Sequence, residues 1–322
     1  MIRNAIAKSM LFALFVAPAL AQDYPVKPVR VIVPLPPGST GEALARLVGD
    51  NLAQKMGQPF VIDTRPGASG QIGVASVVRA PADGYTIMVA SVGPVTINPA
   101  VYGVKLGFDP VKDLAPITQI ASTTSVLLVH PSVPARNVKE LIGLAKTRPG
   151  ELVYASAGNT SVTNLDMVLL NSMAGTKMLH VPYKGSTQAL VAVASGESQL
   201  MITGWINALP MTKAGKVRPI AVVAAKRSPV APELPAIGEV VRGYDAAQWY
   251  GVFAPAGTPG SVITLLHGAI TRELKTPDTR AWLAKTGSEP VGNTPEQFGA
   301  RIRAELAKWT KIVKESGIKP ET

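Results

Sequence analysis

Runs of valine, isoleucine, leucine and alanine about five residues long alternate along this chain with longer segments whose apolar positions recur every three to four residues. The short runs predict strands at 29–34, 60–63, 86–90, 125–129, 151–156, 178–181, 200–203, 220–224 and 251–254. The longer segments predict helices at 42–56, 71–79, 138–148, 162–173, 187–195, 208–213, 261–275, 278–286 and 295–316. Strands alternating with crossover helices define an α/β fold with parallel-rich sheets flanked by helices on both faces. Helix ends are punctuated: Lys55-Met56-Gly57 sets a cation and then glycine at one C-terminus, and Gly196 and Gly287 follow two others. Asp83-Gly84 and Arg148-Pro149-Gly150 read as turns ahead of strands. Within 295–316, Phe298, Ile302, Leu306, Trp309 and Val313 form one stripe, separated by Arg301, Arg303, Glu305, Lys308 and Lys311. That pattern predicts a packed face with a solvated opposite side; a membrane-binding stripe is the alternative.

The N-terminus departs from this rhythm. Arg3 and Lys8 precede and enter an apolar stretch, 10–16, that ends in Ala19-Leu20-Ala21 before polar Gln22-Asp23. This order describes a secretory signal peptide over 1–21 with cleavage expected after Ala21. The run is too short for a permanent bilayer span, and residues 22–322 hold no other apolar segment of that length, so no membrane insertion of the mature chain is expected. The chain has no cysteine, which excludes disulfides, thiol catalysis, cysteine metal sites and a lipid carried on cysteine. Loss of Arg3 and Lys8 with the leader lowers the formal charge from +11 to +9. A basic balance suits anionic ligands. Nucleic acid is not expected as a partner, because aromatics make up 5% of the chain and the basic residues are scattered.

No catalytic constellation stands out. His130, His180 and His267 lack metal-ligand spacing, and no nucleophile elbow, Walker loop or dinucleotide fingerprint occurs. Gly67-Ala68-Ser69-Gly70-Gln71-Ile72-Gly73 imitates a dinucleotide loop without its spacing. Catalytic residues, metal and cofactor are therefore not expected, with a dispersed catalytic set as the enzyme alternative. The small-residue loops say more. Pro36-Pro37-Gly38-Ser39-Thr40-Gly41-Glu42 follows the first strand, and Ser156-Ala157-Gly158-Asn159-Thr160-Ser161 follows another; each opens a helix. Free amides at a helix N-terminus, reinforced by the helix dipole, attract carboxylates and phosphates. Either loop alone is equally an ordinary capped turn, with Ser39 or Thr40 as N-cap and Glu42 complementing the dipole. Two further loops of similar composition, 67–73 and Gly185-Ser186, favour binding, because such loops converge at the carboxyl ends of parallel strands, where open sheets take ligands. Lys184 stands at the cleft mouth or is a plain surface charge. Trp205 and Trp249 wall a pocket or pack in the interior. Crossovers near 121–125 and 244–250 would give a discontinuous lobe, 22–123 with 248–322, and a continuous lobe, 124–247.

Several ordered motifs together resemble the Bug-type extracytoplasmic solute receptors of tripartite tricarboxylate transporters. They are Tyr24-Pro25-x-Lys27-Pro28-x-Arg30 before Val33-Pro34-Leu35-Pro36-Pro37-Gly38, then Ala45-Arg46, Gly57-Gln58-Pro59 and Arg65-Pro66-Gly67-Ala68. Asp83-Gly84-Tyr85-Thr86, Tyr154-Ala155-Ser156-Ala157-Gly158-Asn159, Val181-Pro182-Tyr183-Lys184-Gly185 and Pro255-Ala256-Gly257-Thr258-Pro259 complete the set, which covers the mature chain. The resemblance implies a two-lobed, type II periplasmic-binding-protein-like fold with a ligand cleft between the lobes. It also implies a periplasmic location and capture of a small carboxylate or other anionic organic solute for delivery to a two-subunit membrane permease. By the same resemblance, ligand contacts fall on Pro37, Gly38, Ser39, Thr40 and Glu42, on Ala68, Ser69, Gly70 and Gln71, and on Ser156, Ala157, Gly158, Asn159, Thr160 and Ser161, with Lys184, Thr203 and Trp205 added. The chain departs from the usual family pattern at Ser39, Glu42, Asn164, Thr203 and Trp205, which alters pocket charge; Trp205 suits an aromatic acid. A sensory protein using the same pocket, or an exported enzyme acting on a carboxylate, are the alternatives.

Overall fold

The computed structural model describes residues 24–318; the signal-peptide assignment at 1–21 falls outside the described residues. Strands in chain order are β1 (Val29–Val33), β2 (Phe60–Thr64), β3 (Thr86–Ser91), β4 (Leu114–Thr123), β5 (Ser125–Val129) and β6 (Val153–Ser156). They continue with β7 (Leu179–Pro182), β8 (Leu200–Gly204), β9 (Arg218–Val222), β10 (Gln248–Pro255) and β11 (Ser288–Pro290). Two sheets result, ordered β11-β4-β10-β3-β1-β2 and β7-β6-β8-β5-β9, both flanked by helices. The α/β, two-lobed expectation holds. The parallel pattern holds only in part: β1 pairs parallel with β2 and β3, and β6 with β7 and β8, whereas β10 runs antiparallel to β3 and β4, and β5 to β8 and β9.

β4 and the short β11 are the strands that local pattern did not disclose, and β4 is the longer. Its centre buries Thr118 and Gln119, each fully enclosed, where a core strand would show aliphatic residues. A distant turn supplies part of their hydrogen bonding, Thr118 Oγ1 donating to Asn293 O at 2.8 Å and Asn293 Oδ1 accepting from the Gln119 backbone N at 2.9 Å, while Gln119 Oε1 has no partner. Pro116, which cannot donate to a ladder, sits where the register with β10 slips between Val252 and Phe253.

The C-terminal helix Pro295–Ser316 packs its stripe inward, burying Phe298, Ile302, Trp309, Ile312 and Val313. Phe298 meets Trp249 edge-on at 5.3 Å between ring centroids. Glu305 belongs to this buried face rather than to the solvated one: Trp249 Nε1 donates to its Oε2 at 2.9 Å, and Arg301 Nε donates to its Oε1 at 3.0 Å.

Thr124 alone separates β4 from β5 and so links the two sheets. It is held from both sides, its amide donating to Gly287 O and its carbonyl accepting from Trp205 N, each at 2.9 Å. The return passage, 244–247, leads into β10.

Candidate functional site

Ser39 caps the helix Thr40–Met56, its hydroxyl accepting from Glu42 N at 3.3 Å, and Ser161 caps Val162–Ala174, accepting from Asn164 N at 3.3 Å. An N-cap satisfies one or two first-turn amides and leaves the others without an intrahelical acceptor. Those starts face a common space. A cavity of about 470 Å³ is lined by Thr40, by Val162 and Thr163, by Ser186, and by Trp205, Ile206 and Asn207. These are first-turn residues of four helices, Thr40–Met56, Val162–Ala174, Ser186–Ser195 and Trp205–Lys213, the first carried by the six-stranded sheet and three by the five-stranded one. The link residues Thr123, Thr124 and Ser125, the β10 residues Gln248 and Tyr250, Gly204, and Lys285, Thr286 and Gly287 add to its wall, so one lysine reaches this cavity.

A second cavity of about 450 Å³ adjoins it, Val162 lining both. One wall comes from Pro34–Pro36, from Pro66, Gly67, Ser69 and Gly70, and from the turn Ser91–Pro94 with Asn98; the other is Ala157, Gly158, Thr160 and Ser161. None of these lining residues is charged, so an anion here would meet amides and hydroxyls rather than a lysine or arginine.

The predicted residues therefore divide. Thr40 and Trp205 line the larger cavity; Ser69, Gly70, Ala157, Gly158, Thr160 and Ser161 line the smaller. Pro37, Gly38, Ser39, Glu42, Ala68, Gln71, Ser156, Asn159, Lys184 and Thr203 line neither. Glu42 is turned back on its own loop, Oε2 accepting from Gly38 N at 2.7 Å while Oε1 takes the Arg46 guanidinium. The Gly38 amide first and Arg46 second hold its carboxyl below the ordinary range. Gln71 buries its carboxamide beside Pro94, and Lys184 is exposed, its amide donating to Gln188 Oε1. Ser156 and Asn164 work beneath the loop: Asn164 Nδ2 donates to Asn159 O at 2.6 Å, and Asn164 Oδ1 accepts from the Tyr154 hydroxyl at 2.8 Å.

Four features were missed from sequence. The Ser91-Val92-Gly93-Pro94 turn carries the same small-residue, proline-bearing signal as the other loops and was legible on that ground. The helix opening at Trp205 was placed three residues late, because Trp205 and Ile206 read as core. Tyr250 reaches the cavity from β10, most of which is buried, and stands there with Thr40. Asp166 also lines the larger cavity, 1% exposed, with Oδ2 accepting from Gln248 Nε2 at 3.3 Å and Oδ1 without a partner. Burial pushes its carboxyl well above the usual range; Lys308 and Gln248 oppose that shift, and Glu305 and Asp245 reinforce it.

Two lobes with helix N-termini meeting across a polar cleft define a solute-binding protein. Residues 44–318 match the family described as the tripartite tricarboxylate transporter family receptor, and the chain belongs to that family. It is 32% identical to the protein BugT of Bordetella pertussis over 94% of this chain and 93% of that one. Among solved structures, Rpa4515 of R. palustris with adipate is 38% identical, with a TM-score of 0.77, covering 93% of this chain and all of that one. MatC of Rhodopseudomonas palustris with bound malate is 30% identical, with a TM-score of 0.72 over 90% of this chain and all of that one. No helix among the described residues is long and apolar enough to cross a membrane.

Proposed function

We propose that the mature chain is a periplasmic receptor that closes two lobes, 22–123 with 248–322 and 124–247, around a small organic carboxylate. It delivers that solute, chemically unchanged, to the two membrane subunits of a permease. The observation that carries this reading is the convergence of four helix N-termini on one cavity of about 470 Å³. Each such terminus favours a negative charge by about 0.3–1 kcal/mol when exposed and up to about 2 kcal/mol when partly buried. Because the termini belong to both lobes, an anion touching all of them binds the closed state more tightly than the open one, which is what drives closure. Adipate and malate on the two related receptors support a carboxylate, and Trp205 on the cavity wall puts aromatic acids within the class.

Thermal unfolding with adipate, malate, benzoate, simple amines and sugars tests the assignment. Carboxylates selectively raise the midpoint by several degrees at concentrations about a hundredfold above Kd. Stabilisation by amines or sugars alone would overturn it. Mass spectrometry of a bound carboxylate after prolonged incubation recovers it intact; a converted product would make the chain an enzyme instead.

A further inference from the structure

The loop 157–161 forms one wall of the smaller cavity, yet little packing holds it. Gly158 has φ +131°, a conformation L side chains rarely adopt, and a Cβ built there would meet no atom within 4 Å. Hydrogen bonds must therefore set its shape. Several come from the helix that follows: Ser161 Oγ donates to Gly158 O at 2.7 Å, Thr163 Oγ1 accepts from Ala157 N at 3.1 Å, and Asn164 holds Asn159 O. Another reaches the loop from a different element. His180 on β7 lies 2.6 Å through Nε2 from Ser156 Oγ, and Ser156 Oγ both donates to Gly158 O at 3.0 Å and accepts from Gly158 N at 3.2 Å. Ser156 is fully buried, so it touches no solute itself. The imidazole stacks on Tyr154 at 4.9 Å with 22° between planes, which fixes where Nε2 points. Tyr154 in turn donates to Asn164, closing a network under the loop.

We propose that His180 is a positioning residue for solute binding: acting through Ser156, it fixes the backbone of Gly158 and hence the cleft wall 157–161. The proposal rests on the reading of that wall as part of the solute site. The hydroxyl of Ser156 has one hydrogen to share between His180 and Gly158 O. A neutral imidazole can accept it, whereas a protonated one must donate, forcing that hydrogen onto Gly158 O. Burial keeps His180 below its ordinary pKa, and the groups facing it on β6 are Tyr154, whose phenol burial pushes up and keeps neutral, and Ser156.

His180→Phe keeps the stacked ring and removes the nitrogen; His180→Gln restores a polar atom near the Nε2 position; Ser156→Ala removes the relay with minimal volume change. Hydrogen exchange of the 157–162 amides without ligand, and affinity for adipate and malate from pH 5 to 8, are the readouts. His180→Phe and Ser156→Ala each speed loop exchange and weaken binding about fivefold, the scale of one net hydrogen bond. The double variant is no worse than either single one, since both break the same relay. His180→Gln recovers most of the affinity at each pH. Unchanged exchange and unchanged affinity in His180→Phe and Ser156→Ala would overturn the positioning role. Faster loop exchange in a protein that binds no carboxylate at all would uphold the relay while removing the solute reading.

Discussion

At the scale of single residues, the loop after β2 concentrates backbone strain. Gly67, Ala68, Ser69 and Gly70 have φ of +116°, +46°, +55° and +91°, so two L residues sit in the left-handed region between two glycines. Each such residue costs about 1–2 kcal/mol relative to an ordinary conformation. The loop stays in place because Asn98 Nδ2 donates to Ser69 O at 2.7 Å and Gly70 N donates to Gly67 O at 2.9 Å. Gly70 has a second constraint: a Cβ there would stand 2.7 Å from Pro34 O and 2.8 Å from Pro94 Cγ. Gly70→Ala should therefore destabilise the protein by about 3 kcal/mol, combining dihedral strain with overpacking. Ala68→Gly should be neutral or stabilising by up to about 1 kcal/mol, because glycine takes that φ without a Cβ clash. Urea unfolding of the two variants checks both signs. A Gly70→Ala midpoint equal to the native one would contradict the close approach of the three loops.

At the scale of elements, the buried Trp249–Glu305–Arg301 network ties β10 to the helix Pro295–Ser316. Glu305→Ala strands the indole N–H in the core and should cost about 1–3 kcal/mol. Glu305→Gln keeps an acceptor in place and should cost clearly less, a contrast that calorimetric melting of the pair resolves. Glu305 also illustrates where sequence reading stops. Its helix was legible from Phe298, Ile302, Trp309 and Val313 at helical spacing, but the partner that draws a glutamate inside lies 56 residues away. β4 was hidden for the same reason, since buried Thr118 and Gln119 look polar until Asn293 is known to face them. Strand-to-helix loops were legible from composition because small residues and caps act locally; Ser39 and Ser161 are the caps. Which of those loops share a cavity depends on chain path, so Thr40 and Trp205 could not be paired in advance with Tyr250 and Asp166.

At the scale of the whole molecule, Asp166 joins the lobes and the solute site in one titration. It stands on a helix of the five-stranded lobe, accepts from Gln248 at the start of β10, and has its carbonyl bonded at 3.1 Å by the hydroxyl of Tyr244, which lies on the return passage between the sheets. Opening the lobes would hydrate this carboxyl and return its pKa toward the ordinary value. The raised pKa therefore marks the packed state, which binds one more proton than an open or unfolded one at intermediate pH. Its stabilising contribution is complete below the usual carboxylate range and is lost as pH rises through the raised value. Solute binding should follow the same sign. Ionised Asp166 would place a second negative charge in the cavity proposed to take the carboxylate, and like charges about 6–8 Å apart at an effective dielectric of 20 repel by about 2–3 kcal/mol. Affinity for adipate should thus fall about tenfold or more as Asp166 ionises. Asp166→Asn removes the titration while keeping the shape, so its affinity should be flat where the native protein's falls and its melting temperature should gain on the native protein as pH rises. Titration calorimetry on both proteins from the usual carboxylate range upward in pH decides the matter: parallel profiles would mean that another group governs the response, and a native affinity that climbs with pH would mean that the cavity does not receive an anion beside Asp166.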